Sequence, residues 1–160
     1  MIYYSRLIVC FLFFLGNSVV YALPKIDEVI EKLGVGKNVK WEIDLERTSC
    51  HLGSDSGSNC SICSKNLVSE SLIFVSQDKV DVVVSCINDG KNITTKTPKS
   101  WSVQLDDKKH NNIIKFDDDI YVILFNLDGK YMKLLSIPSE RNTYQTDKVY
   151  KMVDKNVNKN

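Results

Sequence analysis

The sequence predicts a mainly β fold: an antiparallel meander barrel of about seven or eight strands, with a short N-terminal helix and a C-terminal helix. In several short segments apolar and polar residues alternate, which is typical of strands that bury one face. Two connections between such segments contain an Asp-Gly dipeptide, at Asp89-Gly90 and Asp128-Gly129, and this pair favours tight hairpin turns. Short consecutive strands joined by tight turns favour an antiparallel barrel or sandwich.

The first 22 residues have the organisation of a secretory signal peptide. A positively charged start that includes Arg6 precedes an apolar run from Leu7 to Leu15, and a small-x-small pattern ends at Ala22. The apolar run is too short to span a bilayer, and no second long run follows. We therefore expect a secreted protein without a membrane span, with residues 1–22 removed and residues 23–160 folded as one domain.

The charge balance argues against one class of partner. Lysine and arginine number 21 and the acids 20, so the chain is close to neutral. Nothing in this balance favours a polyanion, and nucleic acid is not an expected partner. Small acidic groups, such as the one from Asp117 to Asp119, are interpreted as solvated turns.

The helices are predicted from apolar residues at helical spacing. The segment from Pro24 to Leu33 carries one apolar stripe, and Gly34 is typical of the residue after a helix end. The segment from Gln145 to Val157 is predicted as the C-terminal helix, with Val149, Met152 and Val153 on one stripe.

The strands are predicted from alternation and from β-branched residues. The first begins at Val39 and alternates through Leu45. The others are predicted at Leu72–Val75, Val80–Ile87, Asn92–Thr97, Trp101–Leu105, Ile113–Phe116, Ile120–Phe125 and Tyr131–Ile137.

Four cysteines remain once Cys10 is removed with the signal peptide. Cys50, Cys60, Cys63 and Cys86 are an even number in a secreted chain, so we expect all four to form disulfides. Three pairings are open, and we expect at least one of the two middle cysteines to bond to Cys86. A redox role for the CxxC motif and a four-cysteine zinc site are the alternatives, disfavoured because no strand-to-helix start and no second close pair accompany the motif.

No pattern calls for catalysis. The two histidines, His51 and His110, lie in polar segments, and no HExxH, GxSxG, phosphate-binding loop or dinucleotide fingerprint is present. We expect a protein that is not an enzyme and that uses no cofactor or metal. Asn92-Ile93-Thr94 is an N-glycosylation sequon next to a predicted turn, so we expect a glycan at Asn92.

Taken in order, these segments resemble the lipocalin family of secreted calyx-shaped barrels. VKWEIDLER, from Val39, resembles the first strand of those proteins; FDDDIYVILF, from Phe116, resembles a late motif; and KYMKLLSIPSER, from Lys130, resembles the closing strand. The resemblance implies a small apolar ligand carried inside the barrel. Six residues hold strand positions that suit the ligand-binding lining: Trp41, Ile43, Trp101, Val103, Tyr121 and Ile123. The alternative is that these residues fill a packed core.

A second resemblance is to the cystatin-like fold, including cathelicidin prodomains. IDEVIEKLG followed by VKWEIDLERTSC and KVDVVVSC is similar to its helix, sheet and disulfide arrangement. It implies a secreted protease-inhibitor or protein-interaction module, although the inhibitory Q-x-V-x-G loop is missing. A secreted protein that acts by surface contact with a protein partner is a third hypothesis.

Overall fold

The computed structural model describes residues 25–50, 64–106, 111–137 and 146–154. The predicted signal peptide, Cys60, Cys63 and both histidines lie outside these ranges. One helix and nine strands are described: α1 Ile26–Leu33, β1 Val39–Ile43, β2 Ser49–Cys50, β3 Leu67–Phe74, β4 Lys79–Asn88, β5 Lys91–Asp106, β6 Asn111–Phe116, β7 Asp119–Phe125, β8 Tyr131–Ser136 and β9 Thr146–Asp154.

The strands form a closed antiparallel barrel. From β3 to β9 each strand pairs with the next one along the chain, and β1 pairs with both β3 and β9. Eight strands thus close into a ring, and the two-residue β2 adds a short pairing to β9. The predicted meander barrel and N-terminal helix are confirmed. The closed ring differs from the open sheet against one helix that the cystatin-like resemblance implies.

Helix α1 packs against one end of the barrel interior. Val29 and Leu33, four residues apart on its apolar stripe, are fully buried. They belong to one core cluster with inward-facing strand residues, and the Leu33 carbonyl accepts a hydrogen bond from the Trp41 indole at 3.1 Å. Because the strands close the side walls, the helix reaches this core only at an end. Gly34, in the left-handed conformation with φ 69°, ends the helix there.

The predicted C-terminal helix is wrong, because Thr146–Asp154 form strand β9. Val149 and Met152 do lie at helical spacing, but β8 and β1 both present backbone edges that only a strand between them satisfies. In β9 the inward positions alternate, with Tyr150 buried and Met152 packed on the core. A lysine at the next inward position, Lys148, hides this period of two in the sequence.

The two Asp-Gly connections both join strands, by different turns. Asp89 and Gly90 form a two-residue turn with φ of 49° and 74°, as the predicted tight hairpin requires. The second hairpin has a longer loop between Phe125 and Tyr131, in which Gly129 has φ 69°. The dipeptide therefore predicts the hairpin in both cases and the two-residue turn in one.

Strand β5 unites two predicted strands. Residues 91–100 pair with β4, and residues 101–106 pair with β6. The second edge of the first half therefore has no paired strand within the described ranges. Trp101 donates its backbone N–H to the Asp78 carbonyl, on the β4 side of the strand. Because backbone N–H groups alternate between the two edges of a strand, the odd-numbered residues of this half point theirs toward β4. The backbone nitrogen of residue 98 therefore faces the edge that no described strand covers. That residue is Pro98, which has no N–H.

Cys50 and Cys86 are both disulfide-bonded cysteines. Cys86 lies on the inward face of β4 and is buried. The other two cysteines lie outside the described residues, so the pairing of the four stays a prediction. Residues 51–63, which contain the CxxC motif, lie outside as well, while Ser49 and Cys50 pair with β9.

Candidate ligand-binding site

A cavity of about 210 Å³ lies among inward-facing side chains of seven strands, β3 to β9. Most of the surface exposed in the cavity is apolar, although six of its eleven lining residues carry a polar or charged group. The apolar members are Leu72, Val82, Val84, Phe116 and Leu134. The members that carry a charge or a phenol hydroxyl are Glu70, Lys99, Asp119, Tyr121, Lys148 and Tyr150.

Three of these side chains form a buried hydrogen-bonded group, which we call the Glu70 cluster: Glu70, Lys148 and Tyr150. The Lys148 ammonium lies 3.1 Å from Glu70 Oε1, and the Tyr150 hydroxyl donates a short hydrogen bond to the same oxygen. Lys148 and Tyr150 are two residues apart on β9, so they face the same side of the strand.

The cluster lies where strand β1, which separates β3 from β9, ends. Strand β1 separates β3 from β9 only as far as Ile43, which pairs with Tyr150. Beyond that point the chain turns at Leu45 to Arg47, and its next strand, β2, pairs with β9 again but has no pairing with β3. The Glu70–Lys148 ion pair then joins β3 directly to β9 through side chains. The sequence positions a carboxylate and an ammonium opposite each other where no backbone ladder connects these two strands.

The cluster fixes the protonation of its members. Burial raises the pKa of Glu70, but the Lys148 charge and the hydrogen bond from Tyr150 outweigh burial and leave that pKa below its ordinary value. Burial lowers the pKa of Lys148, and the Glu70 carboxylate outweighs it and raises that pKa. Burial and the same carboxylate raise the pKa of Tyr150 well above its ordinary value. At neutral pH the cluster therefore holds one anion, one cation and a neutral phenol.

Several polar atoms of the cavity have no partner within the described part of the chain. Both hydrogen bonds to Glu70 end on Oε1, so Oε2 accepts none from a described residue. Lys148 uses one of its three N–H donors there. The Tyr121 hydroxyl has no hydrogen-bond partner among the described residues, and its ring centre lies 5.9 Å from the Lys148 ammonium. These atoms are available to a bound molecule.

A second charged group lies on the solvent side of the cavity. The Lys99 ammonium is 3.7 Å from a carboxylate oxygen of Asp117 and 3.7 Å from one of Asp119. These side chains are between 29% and 49% exposed, much more than the Glu70 cluster. Asp117 and Asp118 form the solvated turn that the sequence predicts, whereas Asp119 begins β7 and lines the cavity.

Of the six predicted lining residues, Tyr121 lies in the cavity. The others pack in or against the core: Trp41, Ile43, Trp101 and Ile123 are buried, and Val103 is half-buried. Each indole N–H donates to a backbone carbonyl, Trp41 to Leu33 and Trp101 to Ser76. The two tryptophans thus connect strands to neighbouring segments in place of lining the cavity.

Sequence reasoning missed Glu70, Lys148 and Tyr150. Glu70 precedes the segment that was predicted as a strand, and the other two fall in the predicted C-terminal helix. The usable signal was the alternation of Lys148, Tyr150 and Met152, which suits a strand once a lysine is allowed to face inward.

Asn92, the predicted glycosylation site, is exposed on β5 beside the Asp89-Gly90 turn.

Within the described ranges, no three histidine, cysteine or acidic side chains are grouped so that they could hold a metal ion. The described helix is too short and too polar to cross a membrane.

Comparison with known proteins gives no relative: no protein-family model, no curated protein and no solved structure matches this chain. The eight-stranded antiparallel barrel is compatible with a lipocalin-like fold.

Proposed function

We propose that this protein is a secreted, non-catalytic binding protein that carries one small, mainly apolar molecule in the cavity of its barrel. The observation that carries the proposal is the composition of the cavity, in which apolar walls surround a few fixed polar atoms without a described partner. Ligand sites in proteins commonly have this composition. The barrel's compatibility with a lipocalin-like fold supports the same function.

The cavity volume limits the ligand. An apolar cavity of about 150 Å³ is large enough to hold benzene. The cavity here measures about 210 Å³, so we propose a ligand with one ring or a short chain. A long fatty acid or a retinoid would extend beyond the cavity toward the solvent side at Lys99.

Secretion is part of the proposal. It is supported by the signal-peptide organisation of residues 1–22 and by the even number of cysteines that follows. We propose that all four mature cysteines are oxidised and that Asn92, which is exposed, carries a glycan. Thiol titration and mass spectrometry of the secreted protein test both statements.

The binding proposal is tested by titrating single-ring probes into labelled protein and recording NMR shifts. Val84→Phe should fill the cavity and abolish saturable binding, since Val84 lines the wall; Val84→Leu should weaken it. The control is Val122→Phe, because Val122 is half-buried on the opposite face of β7 and does not line the cavity. Saturable binding that survives in the folded Val84→Phe variant would contradict the proposal.

A further inference from the structure

We propose that the cavity selects a neutral ligand whose polar head both donates and accepts a hydrogen bond, such as an alcohol or a phenol. This inference rests on the proposed function and adds the chemical class of the ligand. It is argued from the charge balance of the Glu70 cluster and from the hydrogen-bonding capacity that the cluster leaves unused.

The charge balance disfavours an ionic head. Glu70 and Lys148 are an ion pair at 3.1 Å, so the buried cluster already has a net charge of zero. A third charge brought beside this pair would lose its hydration without gaining an unpaired counter-ion. The nearest further cation, Lys99, is already paired with two aspartates on the more exposed side.

The hydrogen-bonding groups that the cluster leaves unused include both donors and acceptors. Glu70 Oε2 is an acceptor, the remaining Lys148 N–H groups are donors, and the Tyr121 hydroxyl is either. A ligand carboxylate would use only the donors, and a ligand ammonium would use only the acceptors. A hydroxyl group uses one of each, because it has one O–H and two lone pairs.

Four probes of nearly equal size separate these cases: toluene, benzyl alcohol, benzoate and benzylamine. Their affinities are measured by NMR titration of the intact protein at neutral pH. We expect benzyl alcohol to bind about tenfold more tightly than toluene, the factor that one or two hydrogen bonds supply, and more tightly than either ion. Benzoate or benzylamine binding at least as well as the alcohol overturns the inference, and so does toluene binding equally well.

Two tyrosine variants test whether the cavity groups supply this preference. Tyr121→Phe keeps the ring and removes a hydroxyl that has no described hydrogen-bond partner, so the fold should be unaffected. It should weaken the binding of benzyl alcohol about threefold or more and thereby reduce the preference for the alcohol over toluene. Tyr131→Phe is the matched control, since Tyr131 packs its ring against Arg47 outside the cavity.

The outcomes separate this inference from the proposed function. Binding of toluene without a preference for the alcohol keeps the proposed function and overturns the inference. An unchanged alcohol preference in Tyr121→Phe also overturns it. Failure of all four probes to bind overturns the proposed function itself.

Discussion

At the scale of single residues, Glu70 differs from the exposed acids of the described ranges in what surrounds it. Its side chain and that of Lys148 are 10% and 17% exposed, whereas the comparable pair Lys40 and Glu42 is 31% and 41% exposed. The buried pair has lost most of its hydration and depends on its partners, while the exposed pair retains water as an alternative partner.

Glu70→Gln should therefore lower the free energy of unfolding by about 3 kcal/mol, because it leaves the Lys148 charge buried without a counter-ion. Glu42→Gln makes the same chemical change on the barrel wall and should cost less than about 0.5 kcal/mol. Urea unfolding of both variants measures the difference. Equal effects would show that the buried pair does not stabilise the fold.

The Glu70 carboxylate should also make the free energy of unfolding depend on pH. The pKa of Glu70 is lowered from 4.5 in the folded protein, so its contribution is complete above that pH. As the pH falls below 4.5, the unfolded chain takes up the proton first, and stability is lost until the pH has passed the folded-state pKa. Urea unfolding of the unchanged protein and of Glu70→Gln is compared between about pH 6 and about pH 3. The difference between their free energies of unfolding should become smaller as the pH falls. A constant difference would contradict this.

At the scale of elements, the junction between α1 and β1 requires a glycine for two reasons. Gly34 has φ 69°, and a Cβ built on it would lie 2.5 Å from the Val39 side chain. Gly129 has the same φ, but nothing lies within 4 Å of the corresponding Cβ position.

Alanine at these two positions separates backbone strain from steric contact. Gly129→Ala should lower the free energy of unfolding by about 1 kcal/mol, the usual penalty for alanine in the left-handed region. Gly34→Ala should cost roughly 2 kcal/mol more, because Val39 and the helix end must move apart. Thermal unfolding measures both. A similar loss in the two variants would mean that the helix adjusts to the added methyl group without cost.

The edge of β5 that no described strand covers is a second feature of this scale. Pro98 occupies a position whose N–H would face outward from the sheet, where another strand could pair with it. Pro98→Thr restores that N–H in a strand rich in threonine, so it should increase self-association.

Light scattering after size-exclusion chromatography checks this expectation across a concentration series. Thr97→Val is the control, because it changes β propensity at a residue whose N–H already faces β4. Self-association that is no greater in Pro98→Thr than in this control would assign no protective role to the proline.

At the scale of the whole molecule, the barrel was predictable because its strands repeat one local pattern. Alternating residues from Val39, the apolar segment of β7 and the Asp-Gly turns each indicate a hairpin or a strand without knowledge of the rest. The helix prediction at Gln145–Val157 failed because strand β9 is determined by its two neighbours and its own pattern contains an inward lysine.

The cavity was not predictable for a related reason. Which inward residues meet and which leave space depends on the relative shift of eight strands, and alternation only says that a residue faces inward. Tyr121 and Ile123 have equivalent patterns, yet the first lines the cavity and the second is packed in the core. Glu70 and Lys148 are 78 positions apart and become partners only after the ring has closed.

The pairing of β1 with β9 has a consequence for the order of assembly. Trp41 and Met152 are register partners across more than a hundred residues, so the ring closes only after the last described strand has been synthesised. Until then β1 and β8 both present unpaired edges and the inward aromatic side chains are open to water. A contact of such long sequence separation makes for slow folding, in the range of milliseconds to seconds for small β domains. Closure by β9 is therefore the step at which we expect a chaperone or a mutation in this strand to act on yield.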